Sequence, residues 1–148
     1  MKKAIYPGSF DPFTTGHYAL VKRALAFVDE VVIAIGVNIE KKTMFTVEER
    51  VENIQSIYKN EPRIKILVYS NLTADFAKEV KADYILRGVR NITDFEYEKN
   101  MANINRKLAG IETVILFSEP EYEHISSNLV RELKKFDKDI TNLIPKIK

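Results

Sequence analysis

A chain of 148 residues, 45% hydrophobic and 30% charged, is expected to fold as one soluble globular domain over 1–148, burying roughly 70% of its unfolded surface. The formal net charge is only +2, with 23 Lys and Arg interspersed among 21 Asp and Glu, which argues against a nucleic-acid partner because such binders carry a basic face. Cysteine is absent, so disulfides, thiolate nucleophiles and cysteine metal sites are excluded. The longest apolar run, Val31 to Val37, is too short to cross a membrane, and Met1 to Tyr6 runs into Pro7 and Gly8 without a signal-peptide core, so a cytoplasmic location away from membranes is expected.

Short β-rich runs alternate with longer helical periods. Strands are expected at Lys3–Tyr6, Glu30–Val37, Ile64–Tyr69, Tyr84–Leu86 and Thr113–Phe117. The first helix starts near Gly16 and His17, with Leu20, Val21, Ala24, Leu25 and Val28 in one stripe. The second opens with the Thr46/Glu49 capping box, buries Val47, Val51, Ile54 and Tyr58, and should stop near Asn60. A third covers Leu72 to Val80. A fourth begins with a Thr93/Glu96 capping box and runs to about Leu108, ended by Gly110. A fifth follows Ser126 and Ser127, and the tail adds at most a short helix before Pro145.

Strands alternating with helices require right-handed crossovers and a parallel sheet covered on both faces. The expected fold is therefore α/β, a doubly wound, Rossmann-like sheet of five parallel strands. Ligands in such sheets bind beyond the carboxyl ends of the strands where the strand order reverses, so the loops there should hold the chemistry.

The loop from Tyr6 to His17 contains two prolines and two glycines, Pro7, Pro12, Gly8 and Gly16, and leads into a helix whose free N–H groups and positive dipole end suit a phosphate. It is neither the three-glycine dinucleotide fingerprint nor a lysine-bearing phosphate loop. Lys41 and Lys42 follow the second strand, Arg87-Gly88-Val89-Arg90 follow the fourth, and His124 to Arg131 follow the fifth. Singly these are a solvated lysine pair, turn glycines and a serine cap. Together they bring cations, hydroxyls and helix N-termini to one sheet edge, which describes a polyphosphate site. With two histidines in the chain, a histidine zinc site is not expected, and no protein metal ligand is nominated.

Tyr6 to Pro12, Thr14 to His17, Lys41 to Thr46, Arg87 to Arg90, Asp94 to Glu98 and Ile125 to Ser127 resemble, in order and spacing, the nucleotidyltransferase family whose signature ends in Gly-His after the first strand. Within it they are similar to the branch acting on phosphopantetheine. The resemblance implies transfer of AMP from ATP to 4′-phosphopantetheine, the penultimate step of coenzyme A synthesis, giving dephospho-CoA and pyrophosphate with Mg²⁺ assisting. It implies that Ser9, Phe10, His17, Gly88, Val89, Arg90, Glu98, Tyr122, Glu123, His124, Ile125, Ser126, Ser127 and Asn128 hold ATP. It also implies that Ser9, Lys41, Thr73 and Arg87 hold the acceptor, and that the protein is a homohexamer. Asn128 stands where the family usually has a third serine, so a hydroxyl contact there is replaced by an amide or lost. Related enzymes act instead on nicotinamide mononucleotide, or move a cytidylyl group to an alcohol phosphate. A regulator that binds nucleotide without turnover is a further reading, against which His17 and Lys41 argue.

An acceptor phosphate is already mostly dianionic at neutral pH, so no general base is required, and catalysis reduces to positioning and electrostatics. On that basis His17, Lys41 and Arg90 are the expected catalytic groups, with Mg²⁺ carried mainly on ATP oxygens and water. In the segment Asp94 to Leu108, Phe95, Tyr97, Met101, Ile104 and Leu108 surround more than one helix face, which suits either burial on two sides or packing against another subunit.

Overall fold

The structure, a computed structural model, describes residues 1–146; the last two residues of the tail lie outside it. Strands β1 (Lys3–Gly8), β2 (Glu30–Gly36), β3 (Ile64–Tyr69), β4 (Tyr84–Val89) and β5 (Glu112–Phe117) alternate with helices α1 (Thr15–Ala24), α2 (Val47–Ile57), α3 (Thr73–Glu79), α4 (Ile92–Ala109) and α5 (Ser127–Lys135). Short 3₁₀ turns occupy Pro120–Tyr122 and Thr141–Leu143, the latter in the tail ahead of Pro145. All pairings are parallel, in the order β3-β2-β1-β4-β5, the doubly wound arrangement expected.

Side-chain alternation along the strands feeds two cores. Ala4, Tyr6, Val31, Ile33, Ile35 and Leu86 pack with Leu20, Val21 and Ala24 of α1 and with Ile54 and Ile57 of α2. Ile5, Val32, Ala34 and Ile85 point to the opposite face, where Phe76 and Ala77 of α3 cover them. Among the described residues no helix is long and apolar enough to cross a membrane.

The strand order reverses between β1 and β4, which is the switch point of the sheet. β1 pairs with β2 along six positions from Lys3↔Glu30 to Gly8↔Ile35, but with β4 only at Ala4↔Tyr84 and Ile5↔Ile85. Pro7 has no N–H to give a neighbour, and beyond Ile5 the two central strands part. That opening is where the cavities described below begin.

Several boundaries differ from expectation. Arg87, Gly88 and Val89 are not loop residues: they complete β4, paired with Ile115, Leu116 and Phe117. Long-range pairing outweighs the low strand preference of glycine. At α4 the cap is Asn91, whose side chain accepts from the Asp94 N–H at 2.8 Å, rather than Thr93 with Glu96. The helix therefore begins at Ile92, and Gly110 ends it in the left-handed region at φ 64°. α2 keeps its Thr46/Glu49 box but ends at Ile57, short of Asn60, and buries Arg50, Ile54 and Ile57 while Val47, Val51 and Tyr58 are half-buried.

Candidate active site

His17 is fixed by local chemistry. It occupies the third position of α1, where its Nδ1 accepts from the Thr14 N–H at 2.9 Å, and the Thr14 hydroxyl caps the helix by accepting from the His17 N–H. This is a capping box with imidazole in the place usually taken by Glu or Gln. Because Nδ1 is an acceptor, the neutral ring carries its proton on Nε2. Phe10 and Phe13 pack on the ring at centroid distances of 5.0 and 5.3 Å. Burial, followed by the charges of Arg87 and Arg90, pushes the imidazole pKa from 6.5 down to about 3. His17 is thus a neutral donor at physiological pH.

A cavity of about 470 Å³ lies at this place, lined among others by Ser9, His17, Arg90, Tyr122, Ile125 and Ser126. Arg90 Nε bonds Asp94 at 3.0 Å, and among the described residues neither Nη has a partner. Two of its nitrogens therefore remain for an anion. α5 aims its N-terminus at the same space, with Ser126 accepting from the Leu129 N–H at 3.0 Å as the cap.

A second cavity of about 800 Å³ adjoins it, with Thr73, Tyr97, Met101 and Asn105 on its wall. Pro7, Gly8, Ser9, Lys41, Arg87 and Glu98 line both. Lys41 Nζ donates to Ser9 Oγ at 3.1 Å on this shared wall. Arg87 gives Nε and Nη2 to the Glu98 carboxylate, at 2.9 and 2.7 Å, and Nη1 to the Pro7 carbonyl across the parted strands. Burial alone would lower the guanidinium pKa, but the Glu98 hydrogen bonds and charge outweigh it and hold it up. Among the described residues two of the five N–H groups of Arg87 have no partner, a free edge for a phosphate.

The structure brings together Ser9, Phe10, His17, Lys41, Thr73, Arg87, Gly88, Arg90, Glu98, Tyr122, Ile125, Ser126 and Ser127 around the two cavities. It does not bring Val89, Glu123, His124 or Asn128 to either lining: Val89 is buried in the sheet, and the other three are exposed. Glu98 is present, but its carboxylate is engaged by Arg87. The Ser127 hydroxyl donates to the Pro12 carbonyl at 2.7 Å, whereas the Ser126 O–H has no acceptor among the described residues.

Asp94 and Arg131 also line the smaller cavity without having been nominated. Arg131 stands one helical turn after Ser127, a spacing that places both on one face, and Asp94 stands four residues after Arg90. Among the described residues no three His, Cys, Asp or Glu side chains gather where an ion could sit.

A doubly wound sheet with cations and free N–H groups gathered at its switch point is the architecture of a nucleotide-binding protein. The description "cytidylyltransferase-like" matches residues 5–133, and the chain belongs to that family and, within it, to the phosphopantetheine adenylyltransferases. It is 58% identical over 146 residues to the phosphopantetheine adenylyltransferase of Bacteroides fragilis, covering 99% of this chain and 97% of that one. Identity to the enzyme of the same name from Bacteroides thetaiotaomicron is 57% over 145 residues, with 98% and 96% covered. A bifunctional NMN adenylyltransferase/ADP ribose pyrophosphatase from Francisella tularensis superposes with a TM-score of 0.76 at 14% identity, over 98% of this chain and 45% of that chain. That likeness concerns the fold alone.

Proposed function

We propose that the chain transfers the adenylyl group of ATP to 4′-phosphopantetheine, yielding dephospho-coenzyme A and pyrophosphate. The carrying observation is the pair of adjoining cavities that share Ser9, Lys41 and Arg87. ATP occupies the smaller, with its triphosphate toward Arg90 and the N-termini of α1 and α5. The acceptor occupies the larger, with its phosphate toward Arg87 and Lys41. An oxygen of the acceptor phosphate attacks the α-phosphorus in line, the bond to the β-bridging oxygen breaks, and pyrophosphate leaves. The attacking group is already ionised, so no proton transfer is needed.

His17 donates Nε2–H to the α-phosphoryl group as charge builds there, and Lys41 bridges that group and the incoming phosphate. Such donors act most in the transition state. Mg²⁺ would be carried on ATP: the carboxylates on the smaller cavity, Asp94 and Glu98, are held by Arg90 and Arg87, so ATP oxygens and water would be its ligands, and the ion would offset negative charge on the phosphates.

The same reading makes the protein a cytoplasmic homohexamer. What supports assembly is α4, whose only buried residues are Glu98 and Asn105, while Phe95, Tyr97, Ile104 and Leu108 are each more than 40% exposed. Pyrophosphate release with ATP and each of 4′-phosphopantetheine, nicotinamide mononucleotide and glycerol 3-phosphate tests the activity and the acceptor together. Release with the first alone is expected; release with either of the others in its place would overturn the assignment.

A further inference from the structure

The loops carrying Ser9 and Lys41 are far apart in the chain, and neither is a helix or strand where these residues lie. Their meeting at 3.1 Å therefore needs a cause outside regular structure. Asp11, 2% exposed, accepts from the backbone N–H groups of Met44 and Phe45 at 2.9 and 2.8 Å. Those two amides lie just beyond Lys41, in a stretch between β2 and α2 that has no ladder to satisfy them. In return Arg50 of α2, 4% exposed, donates to the Ser9 carbonyl at 2.8 Å. A carboxylate of the first loop thus grips the second, and a guanidinium beyond the second grips the first.

The other side of the first loop is tied as well. Arg131 donates to the Asp11 carbonyl at 2.8 Å and Ser127 to that of Pro12. Phe10, between the gripped carbonyls, sits at φ 50°, a conformation that persists for a non-glycine residue only where its surroundings over-determine it. The nearest charged partner of the Asp11 carboxylate is Arg131 at 3.9 Å, so the two amides are its principal bonds. Hydrogen bonds from N–H to a carboxylate are among the stronger kinds.

We propose that Asp11 is a positioning residue that acts through Lys41: by holding the Met44 and Phe45 amides it sets the Lys41 ammonium against Ser9 on the wall common to both cavities. This rests on the assigned transferase reading for its kinetic consequence, but the clamp itself does not depend on turnover. Asn at this position keeps the shape and one acceptor oxygen yet turns an NH₂ toward a second N–H, so one bond is lost.

The test combines kinetics with amide exchange on the full chain. Asp11→Asn is expected to lower kcat by about 10–100-fold, the range for misplacing one transition-state donor, with ATP affinity measured calorimetrically changed less than about 3-fold. In a double-mutant cycle, Lys41→Ala should cost at least about 5-fold less in kcat in the Asp11→Asn background than alone, because both changes remove one function. Fully multiplicative losses, or an unchanged kcat in Asp11→Asn, would overturn the proposal. Independently, residue-resolved hydrogen exchange should find Met44 and Phe45 protected in the unmodified protein and released in Asp11→Asn, with the β1 and β2 amides unaffected. If the variant does not fold, exchange of Met44 and Phe45 in the unmodified protein as fast as that of Ile39 and Lys42, whose N–H groups have no partner among the described residues, would refute the clamp. Absence of pyrophosphate release with every acceptor would sink the assigned activity, and the exchange result would still decide on Asp11.

Discussion

Glu98 holds Arg87 by a fork of Nε and Nη2 at 2.9 and 2.7 Å, with the carboxylate 7% and the guanidinium side chain 30% exposed. Removing one partner of such a pair leaves the other charge poorly solvated and costs about 3–5 kcal/mol when burial is complete, less at this exposure. Glu98→Gln keeps one acceptor oxygen but no charge. The expected outcome is a lower Tm together with a raised KM for the acceptor, and a KM for ATP that moves less. Equal rises in both KM values would mean that Glu98 serves the nucleotide directly.

Burial keeps the His17 ring neutral, and the Thr14 N–H, by occupying Nδ1, leaves Nε2–H as its donor toward the cavity. His17→Ala removes the donor and half of the capping box together. Turnover is expected to fall by about 100–1,000-fold, the effect of one lost donor to a developing oxyanion, while ATP binding changes by less than about 5-fold. Single-turnover kinetics with a separate ATP titration checks this. Comparable losses in binding and turnover would demote His17 to a binding residue.

The order of strands and helices was legible because it rests on local period, and the Thr46/Glu49 cap because its signal lies within four residues. What escaped was set by distance. Arg87 and Gly88 read as a loop, since their pairing with Ile115 and Leu116 is invisible locally. Nothing in the helical period singles out Arg50, and only the approach of the Ser9 carbonyl makes a buried guanidinium sensible there. Asp11 was seen as one letter of a motif; its use became plain when Met44 and Phe45 arrived from more than thirty residues away. The grouping of Ser9, His17, Lys41, Arg87 and Arg90 was legible because in a doubly wound sheet every strand ends at the same edge.

β4 passes α1 so closely at Gly88 that a Cβ there would stand 2.7 Å from the Leu20 Cδ1. Leu20 is itself buried in the core, and to make way its Cδ1 would have to swing into the smaller cavity, which Leu20 lines. Gly88→Ala is expected to destabilise the fold by about 1–3 kcal/mol through overpacking, read as a shifted midpoint in urea unfolding. A midpoint unchanged from the parent would show that Leu20 yields freely.

Ile104 lies on α4 at 47% exposure, beside Leu108 at 51%. If this face is a subunit contact, Ile104→Asp places a charge in an apolar interface while touching nothing in the cavities. Light scattering should then report a smaller species than the parent at equal concentration. A parent that is monomeric at micromolar concentration would remove the basis for the proposed hexamer.

The pH dependence of stability follows from the sign of the His17 shift. Its folded pKa is depressed from 6.5 to about 3, so between these values the unfolded chain holds a proton that the folded chain does not. The contribution is present in full above 6.5 and is lost as pH falls toward 3, with a slope of up to about 1.4 kcal/mol per pH unit. Protonation of Nδ1 would also break its bond from the Thr14 N–H, which acts in the same direction. Unfolding free energies measured in urea from pH 8 to pH 4.5 should therefore decline more steeply below pH 6.5 in the parent than in His17→Gln, which lacks the titrating group. Parallel curves for the two proteins would show that the imidazole titrates alike in the folded and unfolded chains, and the neutral-donor assignment would fall with that result.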